Sequence, residues 1–252
     1  MKYAFISTYP PRECGIGTFT HNLLDSVLHT KKAEKGNYEG FVVAVNDHDL
    51  TYDYPQEVKL NIRQEHQEDY LRAAKYINLS GADICVLQHE FGIYGGQNGV
   101  YILPLLHRLE IPLVVTLHTI LNRPTYNEKS VLQEIGKMAQ KVIVMSLKAI
   151  EFLVDIYDLP RGKIALIEHG VPDIKFSPVK SKEEFKLTSK KVLLTFGFIG
   201  RNKGIETVIN ALPDVVQRHP NVLRHSGEEY RIFLILNAPA SPHIVLGHPC
   251  PS

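Results

Sequence analysis

Cysteine is scarce in this chain: Cys14, Cys85 and Cys250 are the only three in 252 residues. An odd number without metal-type spacing excludes a disulfide framework and a structural zinc site. It fits a reducing compartment, so the cytoplasm is the expected location and no metal is expected. An excess of charge of one sign is lacking as well. The formal net charge is +1, which leaves no electrostatic footprint for nucleic acid, and none is expected as a partner. Long hydrophobic runs are also missing. No stretch approaches the roughly 20 apolar residues of a membrane span, and the start Met1–Ile6 lacks the apolar length of a signal peptide. Peripheral contact with a membrane stays open, because an amphipathic patch needs no such run.

What is present is the composition of an ordinary globular protein, 44% hydrophobic and 22% charged. The length allows one large domain or two modest ones. Short, continuous, β-branched runs predict strands at Tyr3–Ser7, Phe41–Val45, Val58–Asn61, Ile84–Gln88, Leu113–Leu117, Val142–Met145 and Ile164–Ile167. Such runs suit strands covered on both faces. Helical periodicity falls between several of them, at Thr18–His29, Gln67–Leu79, Gly99–Leu109, Glu128–Met138 and Leu147–Tyr157. Strand–helix alternation of this kind implies right-handed crossovers and an α/β fold, a Rossmann-like doubly wound parallel sheet over residues 1–175.

The rhythm breaks over 176–189, where Pro178 and the Lys/Glu-rich patch Lys180–Glu184 read as a linker. It restarts with a strand at Val192–Phe196, the loop Gly197–Gly204 and a helix at Ile205–Gln217. From His219 onward at most one more strand is expected, at Ile232–Leu236, amid Pro239, Pro242, Pro249 and Pro251. Residues 190–252 are too few to enclose a doubly wound core. They predict an incomplete second Rossmann-like domain with an irregular Pro-rich tail.

Polar residues that directly follow apolar strands are the candidates for chemistry, because packing alone explains them poorly. After the first strand comes Thr8–Phe19, with Gly15 and Gly17 able to bring backbone close to a ligand and Thr18 able to cap the helix behind them. Free N–H groups at such a helix start suit a phosphate. After the fourth strand come His89 and Glu90, after the fifth His118 and Thr119, after the sixth Ser146, and after the seventh Glu168, His169 and Gly170. In a parallel sheet all of these gather on one edge.

Taken in order, the loop Gly15–Phe19, the loop His89–Gly96, the strand end Val114–Thr119, Glu168–Val171 before a linker, and Thr195–Leu212 resemble a family 4 glycosyltransferase of the GT-B fold. The resemblance implies two Rossmann-like domains, acceptor mainly on the first and nucleotide-sugar donor on the second. It implies retaining transfer of a sugar from a nucleoside diphosphate to a carbohydrate or lipid-linked acceptor. The nucleoside-diphosphate sugar is then a co-substrate, and no separate cofactor is expected. By the same resemblance Gly15 and Gly17 face the donor diphosphate, His118 lies beside the transferring sugar and the acceptor hydroxyl, and His89 and Glu90 line the acceptor side. Lys203 stabilises the departing diphosphate.

Two departures from the family pattern stand out. Phe198 occupies the place of the phosphate-binding arginine, for which Arg201 is the candidate replacement, and the paired donor-binding glutamates have no counterpart. A truncated or rearranged copy with weak or absent turnover is therefore expected, with a non-catalytic binding remnant as the alternative. A dinucleotide-dependent oxidoreductase is a weaker alternative. Thr20 stands where its third glycine belongs, although Asp47 follows the second strand where its acid belongs.

Overall fold

The computed structural model describes residues 1–32, 38–47, 50–171, 177, 180, 183–184, 190–198, 204–218, 229–238 and 241–246. The chain divides into two compact units, Met1–Gly170 and Val171–Ser252.

In the first unit seven strands form one sheet in which every pairing is parallel. They are β1 (Lys2–Ser7), β2 (Glu39–Asn46), β3 (Val58–Arg63), β4 (Ile84–His89), β5 (Leu113–Leu117), β6 (Lys141–Val144) and β7 (Ile164–Leu166), in the order β3-β2-β1-β4-β5-β6-β7. The helices are α1 (Gly15–Lys32), α2 (Gln67–Leu79), α3 (Ile102–Leu106), α4 (Tyr126–Met138) and α5 (Leu147–Asp155). All seven expected strands form, with no end shifted by more than two residues.

The strand order dictates where the helices lie. From β1 the chain steps outward to β2 and β3, then returns past β1 to β4 and continues the opposite way. Right-handed crossovers in opposite directions place their helices on opposite faces. Accordingly α1 packs on one face with Phe5, Val42 and Ala44, and α2–α5 pack on the other with Ile6, Val43, Leu87 and Val115. Six consecutive buried residues, Phe41–Asn46, reflect this double cover. β3 departs from the expectation of two covered faces. It is an edge strand with only Ile62 fully buried, and Lys59, Asn61 and Arg63 reach solvent.

Local chemistry fixes the ends of the elements. Asp69 in the first turn of α2 is buried and accepts from the Arg63 side chain at 2.8 and 3.1 Å and from the Arg63 N–H at 3.0 Å. These bonds hold its carboxyl below the usual aspartate range. Thr125 and Glu128 form a reciprocal capping box at the start of α4, two residues before the expected start of that helix.

The second unit holds β8 (Lys190–Phe198), α6 (Ile205–Arg218), β9 (Glu229–Ala238) and β10 (Ser241–Leu246). β8 and β9 pair in parallel, so β8-α6-β9 is one βαβ unit, as a second Rossmann-like sheet would begin. The expectation of at most one strand after His219 is corrected to two among the described residues, because β10 returns antiparallel along the edge of β9. Pro242 is tolerated there because an edge strand has one side free of ladder bonds. Most of the expected linker lies outside the described residues.

Candidate functional site

Open α/β sheets bind ligands at the carboxyl ends of their strands, where the strand order reverses. Here that point lies between β1 and β4. The ends of β4 and β5 are tied together, since the His118 N–H donates to the His89 carbonyl at 3.0 Å. Strand alternation then sorts the side chains. The register sets Gln88 beside Thr116 and His89 beside Leu117. Gln88, Thr116 and His118 therefore face α1, and His89 faces the core beneath α2–α5.

His118 is half-buried, and its Nε2 lies 2.9 Å from Gln88 Oε1. A carbonyl oxygen only accepts, so Nε2 carries the proton. Among the described residues Nδ1 has no partner. Burial, with His169 as a second contribution, lowers the His118 pKa to about 4, so the ring is neutral at physiological pH. Phe19, in the second turn of α1, stands edge-on to His118 with ring centres 4.9 Å apart and contacts His169, beyond β7, at 5.0 Å. Sequence reasoning missed Phe19. Its signal was an aromatic two residues past Gly17, indistinguishable in pattern from a core position of an amphipathic helix.

His89 sits differently from expectation. It is 0% exposed, stacked on Tyr94 and edge-on to Phe91, so its side chain lies beneath the rim and presents nothing to an acceptor. Among the described residues neither of its ring nitrogens has a hydrogen-bond partner, nor does Gln88 Nε2. Burial first, then His118, lowers the His89 pKa to about 3. Glu90 is half-buried and both its oxygens are engaged: Oε1 accepts from the Phe91 N–H at 3.1 Å, and Oε2 accepts from Thr119 Oγ1. It braces the loop after β4 against the residue that follows His118. Replacing Glu90 with Ala should cost about 1–2 kcal/mol in urea unfolding, the worth of one or two charge-assisted bonds; an unchanged midpoint would show that the brace carries no energy.

Gly15 and Gly17 lie inside the first turn of α1, three residues earlier than the expected helix start. Thr18 is correspondingly not the cap, and its N–H makes the first helical bond, to the Cys14 carbonyl at 3.0 Å. The N–H groups of Gly15, Ile16 and Gly17 precede that bond and have no partner within the helix. The two glycines have different reasons. A Cβ at Gly17 would sit 3.3 Å from the Tyr9 nitrogen, a tight contact with backbone that favours glycine, whereas a Cβ at Gly15 would meet nothing within 4 Å. The Tyr9 segment is itself anchored, its hydroxyl 2.9 Å from His21 Nδ1 and donating to Glu57 Oε1 at 3.1 Å. Asp47, the acid a dinucleotide site would use, accepts from the Tyr52 hydroxyl at 2.6 Å and pairs with Arg12 at 3.5 Å. Arg201 and Lys203 lie outside the described residues.

Among the described residues no group of three or more His, Cys, Asp or Glu side chains could hold a metal ion, and no helix is long and apolar enough to cross a membrane. No protein-family model matches the chain, and no curated protein matches it. Solved structures do. The glycosyltransferase of Rickettsia africae ESF-5 superposes with a TM-score of 0.57 at 16% identity, covering 94% of this chain and 69% of that one. HepE (Alr3699) of Anabaena, solved in complex with UDP, superposes with a TM-score of 0.50 at 16% identity, covering 85% of this chain. The fold is that of the GT-B glycosyltransferases. The chain spans 58% of the length of HepE, less than two thirds. Met1–Gly170, with its order β3-β2-β1-β4-β5-β6-β7, is a Rossmann-like sheet, and His118 lies on its carboxyl rim.

Proposed function

We propose that the protein is a glycosyltransferase of the retaining, family 4 type, which moves a sugar from a nucleoside diphosphate to an acceptor hydroxyl without a bound metal. The observation that carries this is His118: a neutral imidazole on the carboxyl rim, beside the first turns of α1 and positioned by Gln88 and Phe19. A neutral imidazole suits hydrogen bonding to sugar hydroxyls. The N–H groups of Gly15, Ile16 and Gly17 suit a phosphate, because a helix start offers unpaired donors and a favourable dipole.

The proposed step has the acceptor hydroxyl attack the face that the diphosphate leaves. The departing phosphate oxygen takes the hydroxyl proton, and Lys203 and Arg201 neutralise the charge that develops on it. The UDP found in HepE supports a nucleoside diphosphate as the donor's leaving group.

The test is thermal melting with UDP-, GDP- and ADP-sugars, followed by single-turnover release of the nucleoside diphosphate, where slow transfer is still visible. One base should raise the melting temperature. His118→Ala should lower release about a hundredfold, the usual loss when one preorganised polar contact to the reacting sugar goes, while the melt shifts by only a few degrees. Release equal to wild type removes His118 from the chemistry. Stabilisation by NAD in place of every nucleotide sugar would overturn the reading as a whole.

A further inference from the structure

His169 has no place in the assignment above, yet it shares an aromatic neighbour with His118. Phe19 is edge-on to both rings, at 4.9 and 5.0 Å, which brings the end of β5 and the segment after β7 to one phenyl side chain of α1. With the Gln88 amide oriented as it stands, the hydrogen bonds assign both tautomers. His118 Nε2 faces Gln88 Oε1 at 2.9 Å, and His169 Nδ1 faces the Gly170 carbonyl at 2.7 Å. Both partners only accept, so both of those nitrogens are protonated, and the lone pairs sit on His118 Nδ1 and His169 Nε2. Among the described residues neither lone pair has a donor. Unlike His89, this trio reaches solvent: His169 is exposed, and His118 and Phe19 are half-buried.

We infer that His118 Nδ1 and His169 Nε2 form a two-point acceptor site for the hydroxyls of a sugar ring, with the Phe19 ring as its apolar support. The site offers two ring-nitrogen lone pairs for O–H donors and an aromatic surface whose negative face attracts polarised C–H groups. A sugar presents that combination, hydroxyls around an edge and C–H groups on a face. A phosphate needs donors or cations and is poorly served here. Glu90 does not compete for the same hydroxyls, because both its oxygens are used by Phe91 and Thr119. His169 is thereby a substrate-binding residue. The inference rests on the transferase reading and adds the group that holds the transferred or accepting sugar.

The experiment is an NMR titration of the full chain, its histidine rings labelled with ¹⁵N, against free glucose, galactose and mannose, with UDP, GDP and ADP in parallel samples. The His118 Nδ1 and His169 Nε2 resonances should move together with at least one sugar and share one midpoint. His169→Ala should raise that midpoint about tenfold, as measured by the His118 signal, and Phe19→Ala should raise it by a similar factor. His169 is exposed, so its replacement should leave the melting temperature unchanged. Movement of His118 alone, or of neither ring with any sugar, overturns the two-point site. The nucleotide samples judge the transferase reading separately. A chain that binds a nucleoside diphosphate while both rings ignore sugars keeps that reading and loses this one; the converse result does the opposite.

Discussion

Gly95→Ala is expected to unfold the first unit at a temperature about 10 °C lower than wild type, a loss of about 3–5 kcal/mol. Gly95 lies in the loop after β4, and an added Cβ would stand 1.8 Å from the Gln64 carbonyl oxygen and 2.8 Å from Tyr101 Cδ2. The first of these atoms is backbone, so no rotamer change relieves the clash. Either the loop after β4 or the turn after β3 must move. The same contact is where the Tyr70 hydroxyl is used twice, donating to the Gln64 carbonyl at 2.8 Å and accepting from the Gly95 N–H at 2.9 Å. Tyr70 is 0% exposed, so separating the two segments leaves a buried hydroxyl unpaired, which adds about 1–3 kcal/mol to the overpacking cost. Gly92→Ala in the same loop is the control. Its Cβ would meet nothing within 4 Å, and its effect should stay within about 0.5 kcal/mol. Equal melting of the two variants would reject the close approach.

The run from Gln88 to Gly96 thus mixes residues of different kinds, which shows what a sequence of this sort discloses. The sheet was legible because continuous apolar runs such as Phe41–Val45 and Leu113–Leu117 have few other uses. The rim was legible because parallel strands send every following loop to one edge. The individual side chains were harder. His89 follows an apolar strand just as His118 does, yet it shares the face of Cys85 and Leu87, and counting alternate residues along β4 would have assigned it to the core. The start of α1 was misplaced because Gly15-Ile16-Gly17 has poor helix propensity. Packing of Gly17 on the Tyr9 backbone overrides it, and no local pattern records that contact. Phe19 escaped for the same reason, and His169 was legible only as a rim residue without a role, since what matters is their meeting, and it arises from topology. Arg201 and Lys203 stay where the resemblance put them, as proposals.

His89 carries the other large prediction, a change in how stability depends on pH. Its pKa is lowered to about 3 by burial and, secondarily, by His118, whereas an unfolded histidine titrates near 6.5. Above pH 6.5 both states are neutral there and the group contributes nothing to the pH dependence. Between 6.5 and about 3 the unfolded chain binds the extra proton, so stability falls as pH falls. At pH 4.5, two units below the unfolded value, the loss is about 3 kcal/mol from this ring, and it depends on the unfolded pKa more than on the folded one. His118, with its pKa lowered to about 4, acts with the same sign but less strongly, because it is partly solvated. Asp69 belongs to a different window. Its lowered pKa stabilises the fold above the ordinary aspartate value and fails only below it.

His89→Phe keeps a flat ring between Phe91 and Tyr94 and removes both unpartnered nitrogens. Urea unfolding at pH 7.5 should show it as stable as wild type or more so, by about 1 kcal/mol. At pH 4.5 the advantage should grow to about 4 kcal/mol. Parallel pH profiles for the two proteins would mean that His89 is solvated or paired, contrary to its burial.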